Sequence, residues 1–139
     1  MSAENAPRIG EDPSLLLVDD DEIFVTRLSR AMERRGFRPR IATSVAAARE
    51  MVSQAAPAYA VVDLRLEDGS GLDVVDALRS QREDARIVVL TGYGAIATAV
   101  AAVKAGAVDY LSKPADADDV VKALLASGET PEPPENPMS

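Results

Sequence analysis

The chain has 139 residues, a net charge of −8, 47% apolar residues and only 4% aromatic ones, so it reads as one domain with a core of aliphatic and alanine side chains. With no cysteine and no histidine, it lacks disulfides, thiolate or imidazole metal sites and the commonest general base near neutral pH. Any metal must be held by oxygen, which favours magnesium, calcium or manganese, and the acidic balance argues against this segment gripping nucleic acid by itself.

Residues 1–13 are polar, carry Pro7, Gly10 and Pro13, and read as a loose N-terminal arm. Leu15 to Val18 is an apolar run that predicts a buried strand, and it ends in Asp19, Asp20 and Asp21. Phe24, Val25, Leu28, Ala31 and Met32 recur at helical spacing, with Gly36 as a natural stop. Phe37 to Thr43 is a more polar strand, expected at an edge where Pro39 is tolerated. Ser44 is placed to cap an alanine-rich helix that ends before Pro57. Tyr59 to Asp63 is the pivotal strand, apolar and β-branched until its terminal carboxylate.

Glu67-Asp68-Gly69-Ser70-Gly71 reads as a turn, followed by a helix marked by Leu72, Val75 and Leu78. Arg86 to Leu90 predicts a fourth strand, with Thr91-Gly92-Tyr93-Gly94 as its exit loop. The next helix, about Ala95 to Ala105, has Lys104 as its sole ionisable residue. Val108 to Ser112 is a short fifth strand broken by Lys113-Pro114, and Val120, Val121, Leu124 and Leu125 turn a fifth helix toward the core. Residues 128–139 are proline-rich and read as an extended linker outside the fold. No apolar run approaches the ~20 residues of a membrane span and no signal peptide is evident, so the expected compartment is the cytoplasm.

Five alternations of strand and helix predict an α/β fold, a parallel sheet with helices on both faces. Right-handed crossovers then bring every strand's C-terminal end to one edge, where ligands of such sheets bind. Asp19, Asp20, Asp63, Thr91 and Lys113 all fall at that edge. Carboxylates crowded there repel one another, and a hard divalent cation is the obvious remedy. A carboxylate nucleophile, magnesium, a lysine and a hydroxyl together suit phosphoryl transfer onto Asp63. Each residue also has an ordinary reading: the acidic run as a solvated helix start, Asp63 as a turn former, Thr91 as a helix cap, Lys113 as a surface charge and Tyr110 as packing. Asp21 is assigned to capping the first helix, with no role in the site.

The segments Leu16-Leu17-Val18-Asp19-Asp20, Val61-Val62-Asp63, Val89-Leu90-Thr91-Gly92 and Lys113-Pro114 resemble the signature set of response-regulator receiver domains. The resemblance covers residues 14–127. It implies a doubly wound, flavodoxin-like fold with five parallel strands in the order 2-1-3-4-5. It further implies that Asp63 accepts phosphate from a sensor histidine kinase. Mg2+, or Mn2+, would be bound by Asp19, Asp20, Asp63 and the backbone carbonyl of Arg65. Thr91 and Lys113 would grip the phosphoryl group, Tyr110 would report it by its rotamer, and Lys113-Pro114 would be a cis peptide.

More narrowly, Val62 to Gly69 and Thr91 to Val100 resemble the RegA/PrrA/ActR group of redox-responding transcriptional regulators. That likeness implies a DNA-binding domain beyond the linker. Helix four, apolar nearly all round, packs one face on the sheet and leaves the other for a second copy, so phosphorylation is expected to form a homodimer through helix four, strand five and helix five. Many receivers carry proline four residues after the acceptor, where this chain has Glu67. Two other functions compete. A phosphatase with an aspartate nucleophile would need a second Asp two residues further on, where Arg65 stands; a scaffold that is never phosphorylated would not need the five residues at all. The chain is therefore expected to be a phosphoacceptor and not an enzyme acting on separate substrates.

Overall fold

The computed structural model describes residues 10–92 and 96–126, without the side chain of Ile96. Residues 1–9 of the arm expected at 1–13, the loop residues 93–95 and the proline-rich segment 128–139 lie outside the described residues, while residues 10–13 are tied down, Gly10 N–H to the Tyr59 hydroxyl and Asp12 to Arg82. Five parallel strands, β1 (Ser14–Val18), β2 (Arg38–Ala42), β3 (Tyr59–Asp63), β4 (Arg86–Thr91) and β5 (Asp109–Ser112), form one sheet in the order β2-β1-β3-β4-β5. Five helices alternate with them: α1 (Glu22–Arg34), α2 (Val45–Gln54), α3 (Gly71–Gln81), α4 (Ile96–Lys104) and α5 (Ala117–Leu124). The strand order reverses between β1 and β3, which makes their shared C-terminal end the switch point of the sheet.

Because successive strand residues face opposite sides, each central strand feeds two cores. Leu16, Val18, Ala60, Val62, Ile87 and Val89 pack on one face with Ala48 and Val52 of α2, Val74, Val75 and Leu78 of α3, and Ala99 and Ala102 of α4. Leu15, Leu17, Tyr59, Val61, Val88 and Leu90 pack on the other with Val25, Leu28 and Met32 of α1, and Val120 and Leu124 of α5. Burial on both faces explains the unbroken apolar runs of the three central strands. Among the described residues β2 pairs only with β1, and its exposed arginines and half-buried Pro39 suit that edge.

Local signals set the boundaries. Asp21 caps α1 by accepting from the Phe24 N–H, and Ser44 caps α2 by accepting from the Ala47 N–H. The α1 exit passes through Gly36 at φ 100°, a left-handed conformation that glycine adopts without a Cβ penalty. Three details differ from the sequence reading. The Glu67–Gly71 turn is the tip of a small antiparallel ladder in which Arg65–Leu66 pairs with Gly69–Ser70. α3 buries Val74 beside Val75 and Leu78 while Leu72 stays half-buried, because its apolar stripe is wider than one residue per turn. In the α5 region the small Ala123 is buried as well, and Val121 and Leu125 pack half-buried against the same core. No helix among the described residues is long and apolar enough to cross a membrane.

Candidate functional site

The C-terminal edge of the sheet opens into a crevice of about 890 Å³ lined by Asp20, Asp63, Arg65, Glu67, Gly92, Thr98 and Lys113, among others. Asp63 ends β3 and is buried, with Asp19, buried too, one residue beyond β1 on the adjacent strand. Asp20 follows in the bend before α1 and is half-buried. One carboxylate oxygen from each of Asp19, Asp20 and Asp63 lies within 4.8 Å of the others.

Lys113 reaches this cluster from the end of β5. Its ammonium donates to Asp19 Oδ2 at 3.0 Å and to Asp63 Oδ2 at 3.2 Å, and it lies 5.0 Å from the centre of the Phe24 ring. The Lys113–Pro114 peptide is cis. The other carboxylate oxygens are held by the main chain: Asp19 Oδ1 accepts from Asp21 N–H at 2.9 Å, and Asp63 Oδ1 from Arg65 N–H at 3.0 Å. Asp20 Oδ2 accepts from Glu67 N–H at 3.0 Å.

Thr91 is the last residue of β4 and is buried; its hydroxyl donates to the Gly92 carbonyl at 3.1 Å, and its own carbonyl accepts from the Lys113 N–H at 2.9 Å. Tyr110, in the middle of β5, is half-buried against the core layer of α2, α3 and α4. Thus Asp19, Asp20, Asp63 and Lys113 meet in one cluster, Thr91 stands at the adjacent strand end, and Tyr110 lies one layer behind. Glu67 is exposed at the rim.

The electrostatics are those of an unbalanced site. A simple ion pair lowers its acid and raises its base. Here burial pushes the Asp19 carboxyl up and the Asp63 charge adds to that, against the pull of the Asp21 N–H and of Lys113. Burial also works against the Lys113 ammonium, but Asp19 and Asp63 together hold it above its ordinary range. Both partners rise because one ammonium is divided between two carboxylates, the deeper of which has lost its water. With Asp20 included, three carboxylates face a single ammonium among the described residues.

That donor set fits a hard cation. The carboxylates supply only oxygen, their excess negative charge needs a counter-charge, and one oxygen of each lies within 4.8 Å of the others, near enough for one Mg2+ or Ca2+ to be shared. Asp19, Asp20 and Asp63 are the side chains that would hold it.

Two supporting features were not visible in the sequence reading. Asp68, at the tip of the small ladder, accepts from the Val45 N–H at 2.8 Å and the Ala46 N–H at 3.1 Å, so it fastens the loop after Asp63 to the start of α2. Gly71 begins α3 against the backbone of β3. A Cβ there would collide with the Asp63 carbonyl oxygen and lie 2.9 Å from Leu64 Cα and from Val62 Cγ1. An Asp-Gly pair signals a turn, but nothing in its spacing names the distant helix the Asp would cap.

A doubly wound sheet with three carboxylates, a lysine and a hydroxyl at its switch point defines a class, and the family comparison agrees: the response regulator receiver domain matches residues 15–125, and this chain belongs to that family. It is 71% identical over 138 residues to the photosynthetic apparatus regulatory protein RegA of Rhodovulum sulfidophilum, covering 99% of this chain and 75% of that protein. Similarity to the acid tolerance regulatory protein ActR of Rhizobium meliloti is 61% identity over 138 residues, 99% of this chain and 71% of the relative. Among solved structures, a response regulator protein from Burkholderia pseudomallei with a phosphorylated aspartic acid, calcium ion and citrate superposes with a TM-score of 0.78 at 43% identity, covering 83% of this chain and 68% of that one. The receiver domain of NtrX from Brucella abortus gives a TM-score of 0.72 at 28% identity, over 81% and 99% of the two chains.

Proposed function

We propose that this receiver domain takes a phosphoryl group onto Asp63 from the phosphohistidine of a sensor kinase, with Mg2+ bound by Asp19, Asp20, Asp63 and the Arg65 carbonyl. The observation that carries the reading is the convergence of three carboxylate oxygens within 4.8 Å of one another on an acid that already contacts Lys113 at 3.2 Å. An oxygen of Asp63 attacks phosphorus, an O–P bond forms, the N–P bond of the donor breaks, and the imidazole leaves with the electron pair. The cation supplies charge neutralisation for the carboxylates and for the incoming phosphoryl oxygens.

Lys113 turns from Asp63 Oδ2 toward a phosphoryl oxygen, keeping Asp19 as its second partner. The Thr91 hydroxyl exchanges the Gly92 carbonyl for the phosphoryl group, and Tyr110 moves toward the space this opens. The new group adds ~1.5–2 negative charges at one strand end, which biases the surface of α4, β5 and α5 toward a homodimer. On this reading the domain is a cytoplasmic phosphoacceptor, and DNA binding belongs to a segment other than this acidic one. A phosphatase acting on separate substrates is not favoured, because position 65 holds arginine where that chemistry needs an acid.

The test is labelling by acetyl phosphate with Mg2+, followed by intact mass. The wild-type chain is expected to gain one phosphoryl group and Asp63→Asn none. Undiminished, magnesium-dependent labelling of Asp63→Asn would remove the assignment.

A further inference from the structure

The loop after Asp63 is tied down at two points on either side of one peptide. On the inner side, the Glu67 main-chain N–H donates to Asp20 Oδ2 at 3.0 Å. On the outer side, both oxygens of Asp68 are occupied by the Val45 and Ala46 N–H groups at 2.8 and 3.1 Å. These amide bonds hold the Asp68 carboxyl below its ordinary range, so it is ionised near neutral pH. The base of the loop is equally fixed, with Leu66 buried and the two-residue ladder closing behind it.

We propose that the Glu67 main-chain N–H is a positioning group for the divalent cation: it orients the Asp20 carboxylate, and the Asp68 clamp on α2 keeps that N–H in place. The inference rests on the reading of the crevice as a cation-dependent acceptor site. Its physical basis is that a carboxylate ligand is oriented by the hydrogen bond it accepts, and losing such a partner weakens metal affinity. Asp20 is the most solvent-exposed of the three carboxylates and has the most freedom to lose. A proline at position 67, the residue expected there from other receivers, has no N–H to give. The contact therefore exists because Glu67 is not proline. Its exposed side chain plays no part in it.

Two pairs of variants separate this from ordinary structural support. Glu67→Gln removes the side-chain charge and keeps the N–H, whereas Glu67→Pro removes both. In Mg2+ titrations followed by calorimetry, Glu67→Pro is expected to bind about tenfold more weakly than Glu67→Gln; affinities within twofold of each other overturn the proposal. Asp68→Ala and Ser44→Ala each strip an acceptor from the same end of α2, so both should lower the melting temperature. Only Asp68→Ala should speed hydrogen exchange of the Glu67 amide in metal-free protein and weaken Mg2+ binding. Equal effects from Ser44→Ala would reduce Asp68 to a helix cap and sink the clamp, and Asp68→Asn serves the same comparison if the alanine variant does not fold. Failure of the wild-type chain to bind Mg2+ would overturn the acceptor reading instead, while the metal-free exchange data would still decide the clamp.

Discussion

At the N-terminal edge of the sheet Arg82 donates to Asp12 at 2.9 Å, to Asp84 at 3.1 Å and to the Ala56 carbonyl at 3.1 Å. Arg86 grips the Leu124 and Ala126 carbonyls, and Asp12 also takes the Ser14 N–H at 3.0 Å. The Ser14 N–H and Arg82 hold the Asp12 carboxyl down at about 2, and Arg82 is raised, first of all by Asp12. At the C-terminal edge the acids outnumber the one lysine, and Asp19 moves the other way. One cluster is neutralised by the fold itself and adds to stability. The other is left unneutralised, and that remainder is a charge a hard cation could balance.

The comparison breaks most sharply at Lys113. Lys113→Met leaves Asp19 and Asp63 buried without their shared cation, and is expected to lower unfolding free energy in EDTA by about 3 kcal/mol. Denaturant melts measure it, and millimolar Mg2+ should return part of the loss. No change in EDTA would mean the lysine is not what makes the cluster tolerable. Asp19→Asn works in the opposite direction. It removes a desolvated charge, so the metal-free protein should gain about 1 kcal/mol, while the stabilisation that Mg2+ gives the wild-type chain should largely disappear. A less stable metal-free Asp19→Asn protein would put the repulsion somewhere else.

The smallest effect belongs to the balanced edge and follows pH. The folded-state Asp12 carboxyl is depressed from 3.8 to about 2, so its contribution is present above pH 3.8 and is lost as pH falls through about 2. Its side chain is 43% exposed, and solvent screening limits that contribution to about 0.5 kcal/mol. The stability difference between wild type and Asp12→Asn, measured along an acid titration, should close over that window. Asp19, raised by its burial, contributes in the opposite sense: metal-free stability is favoured below pH 3.8 and lost as pH rises through its folded value.

Much of this was legible in the chain because strands buried on both faces must be apolar until they end. Val61-Val62-Asp63 and Leu17-Val18-Asp19 announce both the strand and its polar terminus, and the handedness of crossovers places those termini together. The order β2-β1-β3-β4-β5 is the one the receiver resemblance implies. What stayed hidden belongs to the main chain or to long reach. The Glu67 N–H has no sequence signature, since every residue but proline carries one. Asp68 reads as a turn residue until α2 is seen above it, and Arg86 reads as a strand flank until the end of α5 is seen beside it. Phe24 reads as core, and its ring also lies 5.0 Å from the Lys113 ammonium.

Gly71 carries a different kind of constraint. Its φ is not in the left-handed region, so no backbone preference demands glycine there; space does, since the first added carbon would strike the Asp63 carbonyl. Side chains at the exposed rim of the crevice have room to change, and this hidden hydrogen does not. A silent-looking position eight residues after Asp63 bears a volume limit as hard as any that the crevice sets on its charged side chains.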